Sequence, residues 1–258
     1  MFHGVYTAMI TPFNKDESLD EGALRALVDF QIEKGIAGLV PMGTTGESPT
    51  VTHEENLKVI EIVVDQAKGR VPVIAGTGSN STREAVDMTV RARDIGATAS
   101  LQVAPYYNKP SQEGFYRHFT TIGDESRLPM LVYNIPGRTG KNIENDTMLR
   151  MAQHPQIVGV KEASASMPQV MDLAARKPDD FVILSGDDNL ALPIMALGGV
   201  GVVSVASNLF PAEVVEFARK AVSGDLKGAQ KDHYRLLPFF KALFADTNPI
   251  PVKYAMAR

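Results

Sequence analysis

Cysteine is absent from the sequence, and its absence excludes disulfide bonds, thiolate metal ligands and a cysteine nucleophile. A chain without cysteine is consistent with the cytoplasm, which is the location that we expect. Positive charge is not in surplus either, because 26 Lys and Arg residues face 30 Asp and Glu residues. Without a basic block, we expect neither nucleic acid nor an anionic membrane as a partner.

Long apolar runs are missing too, and none approaches the roughly 18 residues that a membrane-spanning helix needs. The first residues, MFHGVYTAMITPF, do not place an apolar stretch after a positively charged one, so we expect no signal peptide. The composition, with 44% hydrophobic and 22% charged residues, is typical of a globular protein with a sizeable core.

Several motifs of common catalytic sites do not occur. The five histidines form no H-x-x-x-H pair, so we expect no metal site. Neither a G-x-S-x-G elbow nor a P-loop is found. The first apolar run is followed by ITPFNKDES and not by the G-x-G-x-x-G of dinucleotide-binding folds, for which Gly76-Thr77-Gly78 is too short.

Short apolar runs alternate with longer segments of helical period along most of the chain. The runs are rich in Val, Ile and Leu, as expected for strands that helices cover on both faces. Eight such runs favour a closed (β/α)8 barrel, or TIM barrel, of about 250 residues over an open doubly wound sheet. The runs cover residues 4–10, 38–43, 71–78, 99–107, 128–135, 156–163, 180–186 and 199–207.

Helices are predicted between these runs. The first has apolar spacings of three and four residues around Leu24 and Val28. The patterns T-x-x-E at Thr52 and S-x-x-E at Ser81 predict capping boxes at the starts of the next two. Further helices are predicted at 111–125, 144–153, 166–177, 187–197 and 211–223. The strand rhythm stops near residue 224, so we expect a catalytic barrel over 1–224 and a short C-terminal helical appendix over 225–258.

Candidate active-site residues follow the predicted strands, because barrel active sites gather at the carboxyl ends of strands. The turn GTTGES after the second strand has glycine-flanked backbone N–H groups that suit an anion. Asp187 and Asp188 are predicted as helix N-caps and not as catalytic acids. The remaining strand-end candidates are Thr44, Thr45, Tyr106, Tyr107, Tyr133, Asn134, Arg138, Lys161, Gly186, Val203 and Ser204.

Lys161 interrupts the sixth apolar run. A lysine at a strand end is usually solvated, but Ile157 and Gly159 precede this one at spacings of two, which predicts a shared buried face with room for a long side chain. Burial lowers the pKa of a lysine, and the neutral amine condenses with a ketone to a Schiff base. The protonated imine is an electron sink, so a neighbouring carbon can attack an aldehyde while Tyr and Thr hydroxyls relay protons.

The sequence resembles the dihydrodipicolinate synthase family of pyruvate-dependent class I aldolases, which includes N-acetylneuraminate lyase. The resemblance spans nearly the whole chain, and its most specific segments are YNIPGRTG at 133–140 and VGVKEAS at 158–164. The other segments are GTTGESPT at 43–50, PVIAGTGSNST at 72–82, APYYNKPSQEGFYRHF at 104–119, LSGDD at 184–188 and NPIPVK at 248–253. Arg138 and the second threonine of GTTGE favour the synthase branch over the sialic-acid branch.

The resemblance implies a role for each site residue. Lys161 would form the Schiff base with pyruvate, and Tyr133 would donate and accept protons. Thr44 would link Tyr133 to Tyr107, which in the family comes from a neighbouring subunit. The resemblance implies no cofactor and a homo-oligomer, in the family a tetramer built as a dimer of dimers. The substrate-binding residues would be Thr45 and Val203 for pyruvate, Gly186, and Arg138 for L-aspartate 4-semialdehyde.

Many family members are inhibited by L-lysine at a subunit interface, which implies a second site here. Pro49 and Asn56 depart from the alanine and histidine that are frequent in bacterial members. Family members also continue by about one helical hairpin beyond NPIPVK, so the C-terminal segment is shorter than usual. The matching residues for lysine are Ser48, His53, Asn80, Glu84 and Tyr106.

Three functions are therefore compatible with the sequence. The first is the synthase, which feeds diaminopimelate and lysine synthesis. The second keeps the Schiff-base mechanism but changes the aldehyde, as in a 2-keto-3-deoxy sugar acid aldolase or N-acetylneuraminate lyase. The third is a catalytically impaired form that acts only as a binding protein because of its shortened C-terminal segment.

Overall fold

Eight strands alternate with helices in the computed structural model, which describes residues 2–258. Each strand lies inside one of the predicted apolar runs, so the strand predictions are confirmed. The strands are β1 Gly4–Ala8, β2 Gly38–Val40, β3 Ile74–Gly76, β4 Ala99–Val103, β5 Met130–Asn134, β6 Ile157–Glu162, β7 Val182–Ser185 and β8 Gly201–Ser204.

The helices follow the predicted segments with small shifts at their ends. The segment predicted as one helix over 187–197 begins with a single 3-10 turn, Asp188–Leu190. The helices are α1 Glu21–Glu33, α2 His53–Ala67, α3 Thr82–Ile95, α4 Gln112–Ser126, α5 Pro136–Thr139, α6 Asn145–Met151, α7 Met167–Arg176, α8 Ala191–Ala196, α9 Pro211–Val222, α10 Leu226–Ala242 and α11 Ile250–Met256. No helix in residues 2–258 is both long and apolar enough to cross a membrane.

All ladders between the strands are parallel, in the order β2-β1-β8-β7-β6-β5-β4-β3. A bridge between Leu39 and Val73 joins the two ends of this order, and the Gly76 N–H donates to the Pro41 carbonyl at 3.0 Å. The sheet is thus a closed barrel, and the predicted (β/α)8 class is confirmed. At this seam β2 and β3 lie so close that a Cβ on Gly76 would stand 2.0 Å from the Met42 carbonyl oxygen.

Alternate residues of β5 pack on opposite sides of the sheet, as period-two geometry requires. Met130 and Val132 belong to a cluster with residues of α4 and α6, whereas Leu131 and Tyr133 belong to a second cluster that includes Leu184 and Val203 of other strands. Both sets are buried, which explains why the strand reads as a continuous apolar run.

A bulge in β6 interrupts this alternation. Ile157 pairs with Met130 and Gly159 pairs with Leu131, so Val158 is an extra residue between two consecutive partners. Ile157 therefore packs outside the barrel with the helix-facing cluster. The prediction that Ile157 shares a face with Lys161 was wrong. Gly159 does lie on the same face as Lys161, as predicted. Bulges are known to redirect side chains beside active sites, and this one sets the face on which Lys161 lies.

Helices α10 and α11 occupy the C-terminal segment. Helix α10 packs beside α9, and α11 contacts the 3-10 turn at Ala206–Asn208 that follows β8. The start of α11 thus reaches the end of the barrel where the strands have their carboxyl ends. The helical character predicted for residues 225–258 is present in both elements.

Candidate active site

Lys161 lies near the end of β6, and its side chain is only 6% exposed. Its Nζ lies 4.0 Å from the centroid of the Tyr133 ring, which extends from the adjacent strand β5. The lysine is therefore not a solvated strand end. It is a buried amine packed against a phenol, as the proposed chemistry requires.

Burial lowers the pKa of Lys161 from 10.5 to about 7. The negative charge of Asp188 works against this shift by favouring the ammonium, and the positive charge of Arg138 adds to it. At neutral pH a substantial fraction of the amine is therefore unprotonated. This fraction has the free lone pair that attack on a carbonyl carbon needs.

Two glycines shape the surroundings of Lys161 in different ways. A Cβ on Gly186, after β7, would lie 2.8 Å from the Ala163 Cβ and 3.1 Å from the Lys161 Cγ. Gly186 therefore lets the chain pass closely beside the lysine stem. The space at Gly159 is instead filled by Val182 and Leu131, so this glycine does not leave room for the lysine as its position had predicted.

The phenol of Tyr133 is buried as well, with the residue 5% exposed. Burial raises its pKa to about 12, while the positive charge of Arg138 and a hydrogen bond with the Thr44 hydroxyl act in the opposite direction. The phenol thus stays protonated at neutral pH. It can donate a proton to an alkoxide and take it back, with Thr44 as its polar neighbour.

Thr45 and Arg138 are joined by Asn248, a residue that the sequence predictions did not include. The Asn248 Nδ2 donates to the Thr45 Oγ1 at 3.0 Å, and an Arg138 Nη2 donates to the Asn248 carbonyl at 3.3 Å. Thr45 and Asn248 are buried. The sequence signal was available in NPIPVK, but nothing local connects this segment with a turn that lies 203 residues earlier.

Asp188 was predicted as a helix N-cap, and the structure corrects this prediction. Asp187 is the cap, because its Oδ1 accepts from the Asn189 N–H at 2.7 Å. Asp188 is buried, and its Oδ2 accepts from the N–H groups of Val205 at 3.0 Å and Ala206 at 3.1 Å. Burial raises its pKa, although these hydrogen bonds oppose the shift. Asp188 thus ties the end of β8 to the loop beside Lys161.

A cavity of about 320 Å³ opens at the carboxyl ends of β2 to β5. Thr44 and Tyr133 of the predicted catalytic residues and Arg138 of the predicted substrate-binding residues line it. Ser48, His53, Glu84 and Tyr106 line it from the predicted lysine set, so one cavity reaches both groups. Lys161, Thr45, Gly186, Val203, Asn80 and Tyr107 lie outside its lining.

Glu84 forms a polar cluster with His53, another of the predicted lysine residues, and with Ser79. The His53 Nε2 lies 2.5 Å from the Glu84 Oε1, and the Ser79 hydroxyl donates to the other carboxylate oxygen. Asn80 Nδ2 donates to the Tyr106 carbonyl at 3.2 Å. The Ser81 N–H donates to the Ser79 hydroxyl at 3.1 Å and not to the Glu84 carboxylate, so the bond from the Glu84 N–H to the Ser81 hydroxyl is the half of the predicted capping box that forms.

The two predicted capping boxes thus have different outcomes. At the start of α2 both bonds of the box are present, since the Glu55 N–H donates to the Thr52 hydroxyl at 3.2 Å and the Glu55 carboxylate accepts from the Thr52 N–H at 2.8 Å. At the start of α3 only half of the box forms, because Glu84 serves the polar cluster. The carboxylate of Glu84 contacts His53 and Ser79 at the cavity wall instead of completing the capping box.

Tyr107 is exposed to solvent, whereas Val203 is buried. The Tyr107 side chain is 90% exposed on the loop after β4 and has a positive φ of 69°. It does not join the buried residues of its own chain's site. Val203 is buried in β8 opposite Tyr6 of β1, within the barrel interior.

The comparisons with known proteins agree with this architecture. The dihydrodipicolinate synthetase family model matches residues 1–258. The chain is 51% identical over 257 residues to the 4-hydroxy-tetrahydrodipicolinate synthase of Nitratidesulfovibrio vulgaris, and the match covers 99% of this chain and 88% of that protein.

Solved structures give the same result. The chloride-inhibited dihydrodipicolinate synthase from Acinetobacter baumannii, complexed with pyruvate, has a TM-score of 0.98 at 41% identity, covering 100% of this chain and 88% of that one. DHDPS from Cyanidioschyzon merolae, with lysine bound, has a TM-score of 0.97 at 41% identity, covering 99% and 88%. The relatives are named 4-hydroxy-tetrahydrodipicolinate synthase, which is a lyase, and this confirms the predicted enzyme class. The chain belongs to the dihydrodipicolinate synthetase family.

Proposed function

We propose that the chain is a 4-hydroxy-tetrahydrodipicolinate synthase that condenses pyruvate with L-aspartate 4-semialdehyde. The observation that carries the proposal is the buried Lys161 amine with a pKa of about 7 against the Tyr133 ring. The reaction would be the first committed step of diaminopimelate and lysine biosynthesis. We propose a cytoplasmic location for it, in keeping with the biosynthetic role of the named relatives.

The reaction begins with the neutral Lys161 amine, which attacks the ketone carbon of pyruvate. Tyr133 protonates the oxygen that leaves as water, and a protonated imine forms. Loss of a methyl proton gives an enamine, whose terminal carbon attacks the aldehyde carbon of the second substrate. The amine of that substrate then displaces Lys161 from the former ketone carbon and closes the ring. The imine itself is the electron sink, so this chemistry needs neither a metal nor an organic cofactor.

The remaining site residues bind and orient the substrates. We assign Thr45 and Val203 to pyruvate, with the Thr45 hydroxyl toward its carboxylate. Arg138 binds the carboxylate of the semialdehyde, because a guanidinium matches a carboxylate in a bidentate pair. Gly186 allows the close approach of backbone to Lys161, and Thr44 passes protons between Tyr133 and Tyr107.

Borohydride trapping tests the proposal directly. The protein is reduced with sodium borohydride in pyruvate and EDTA, and its intact mass is measured before peptide mapping. We expect a gain of about 72 Da on the peptide that contains Lys161, since reduction converts the imine to a stable secondary amine. Lys161→Ala abolishes the adduct, whereas Tyr133→Phe mainly slows turnover. A wild-type protein without an adduct would contradict the proposal and favour a binding protein.

The second substrate is tested by a paired assay. Pyruvate is supplied with L-aspartate 4-semialdehyde in one reaction and with a sugar or amino-sugar aldehyde in the other. We expect turnover with the semialdehyde, because Arg138 supplies a charged partner for its carboxylate. Turnover only with the sugar would assign the chain to the sugar-acid aldolases instead.

We also propose that L-lysine inhibits the enzyme by binding at His53, Glu84, Ser48, Asn80 and Tyr106. Glu84 offers a carboxylate to an ammonium, and Asn80 offers an amide. The continuous cavity between this cluster and Tyr133 supports a coupling between the two sites. Activity measured against lysine up to millimolar concentrations is expected to fall, and Glu84→Gln is expected to weaken inhibition at least tenfold. A flat titration would reject lysine as an inhibitor.

A homo-oligomer is part of the same proposal, in the form of a tetramer built as a dimer of dimers. The exposed Tyr107 supports it, since this side chain is 90% exposed and has no place in its own chain's buried site. In an assembly it would enter the site of a neighbouring copy beside Thr44.

A further inference from the structure

The start of α11 is fastened to the barrel mouth by Lys253. Its Nζ donates to the Glu47 carboxylate at 2.5 Å and to the Thr11 carbonyl at 3.0 Å. It also lies 4.5 Å from the centroid of the Phe13 ring. The lysine and Glu47 side chains are each 29% exposed, so this ion pair is partly shielded from water.

Glu47 lies on the same turn as Thr45, two residues further along. The turn is tightly shaped there, because Glu47 has a left-handed φ of 63° and the Thr11 hydroxyl donates to the Gly46 carbonyl at 2.7 Å. Lys253 therefore joins three separate segments, which are the loop after β1, the threonine turn after β2 and helix α11. We call this set of contacts the C-terminal clasp.

Asn248 lies two residues before α11 begins at Ile250 and five residues before Lys253. Its side chain donates to Thr45 and its carbonyl accepts from Arg138, so it spans the residues assigned to pyruvate and to the semialdehyde. Its buried Oδ1 has no hydrogen-bond partner within residues 2–258. Helix α11 also contacts the turn at Ala206–Asn208, and its Val252 is fully buried in the core.

We propose that Lys253 is a positioning residue, which holds Asn248 in place and thereby sets the distance and direction between Thr45 and Arg138. The inference rests on the proposed function, because it assigns substrate carboxylates to those two residues. Lys253 itself touches neither the Lys161 amine nor the Tyr133 ring. Its loss affects substrate affinity and leaves imine chemistry intact.

The test measures affinity and imine formation separately in the full-length protein. Lys253→Met is expected to raise the KM for both substrates about tenfold while kcat changes by less than about threefold. Borohydride trapping at saturating pyruvate is expected to stay complete. Lys253→Arg should restore most of the affinity, and Lys231→Met, at an exposed position on α10, is the matched control.

Two further variants separate positioning from a general loss of structure. Glu47→Gln weakens the same ion pair with a smaller change in shape, and the exchange Glu47→Lys with Lys253→Glu should recover part of the affinity. Unchanged KM values in Lys253→Met and Glu47→Gln overturn the proposal. A fall in saturating trapping in parallel with the KM change also overturns it. A wild-type protein that forms no pyruvate adduct would instead contradict the proposed function.

Discussion

Lys161 destabilises the fold while it serves the proposed reaction. Its pKa is about 7 in the folded protein and 10.5 as a free side chain. Each unit of such a shift corresponds to about 1.4 kcal/mol, so the amine opposes folding by up to roughly 5 kcal/mol at neutral pH. The surrounding barrel interior, which includes the buried Leu131 and Leu184, offsets this loss.

Imine formation is expected to follow the ionisation of Lys161. Because only the neutral amine attacks pyruvate, the single-turnover rate should rise with pH and reach half of its maximum near pH 7. Asp188→Asn removes a negative charge that favours the ammonium, so the midpoint should move to lower pH. Rapid-quench borohydride trapping between pH 5.5 and 9 would measure both curves. A midpoint above pH 9 would contradict the burial of the amine.

Replacement of the lysine by an apolar side chain is expected to stabilise the protein. Lys161→Met should raise the free energy of unfolding by about 1–3 kcal/mol at pH 7. Between pH 7 and 10.5 the unfolded lysine holds a proton that the folded one lacks, so wild-type stability rises with pH and the advantage of the variant shrinks. Urea denaturation at pH 7 and pH 9.5 checks the sign. An advantage that grows with pH would refute this account.

The sequence could place individual residues in the barrel where chemistry and position coincide. Lys161, Tyr133 and Arg138 stand at the ends of recognisable strands, and a nucleophile, a phenol and a guanidinium together indicate imine chemistry. Asn248 was missed and Asp188 was wrongly predicted as an N-cap because their roles depend on partners far along the chain, at Thr45 and at Val205. An amide or carboxylate carries no local sign of such partners.

At the scale of the elements, the loop after β7 controls how closely the backbone approaches the lysine stem. Gly186→Ala should lower kcat about tenfold, because its Cβ would lie 3.1 Å from the Lys161 Cγ and 2.8 Å from the Ala163 Cβ. Gly137→Ala is the control, since a Cβ there meets no atom within 4 Å. Steady-state kinetics and thermal melting of both variants measure the effect. Equal activity in the two would show that the approach at Gly186 is not needed.

Strands were predictable because a strand that is buried on both faces has a continuous run of apolar residues. The bulge in β6 was not, since apolar residues occur on both faces and the pattern around Val158 does not reveal which one is extra. The half-formed capping box of α3 has a similar origin. Ser81 and Glu84 have the right spacing, but the carboxylate binds the more distant His53 and Ser79.

At the scale of the whole molecule, Tyr107 distinguishes a site built from one chain from a site shared between two chains. If Tyr107 acts in a neighbouring copy, Tyr107→Phe and Lys161→Ala chains should complement each other. A mixed pair has one site with a native Lys161 and a native Tyr107, so random pairing restores about a quarter of wild-type sites. Activity after co-refolding of the two variants, compared with each alone, measures this. Absence of recovery would assign Tyr107 to its own chain.

The closure of the barrel has a consequence for how ligands affect its fluctuations. β2 and β3 meet through one bridge and through Gly76, whose missing side chain allows the close approach to Met42. A ligand that contacts Thr45 on one side of this seam and Tyr133 on the other would restrain the opening of the two strands. Substrate binding should therefore appear as slower amide hydrogen exchange at Leu39 and Gly76, two residues that take no part in the reaction.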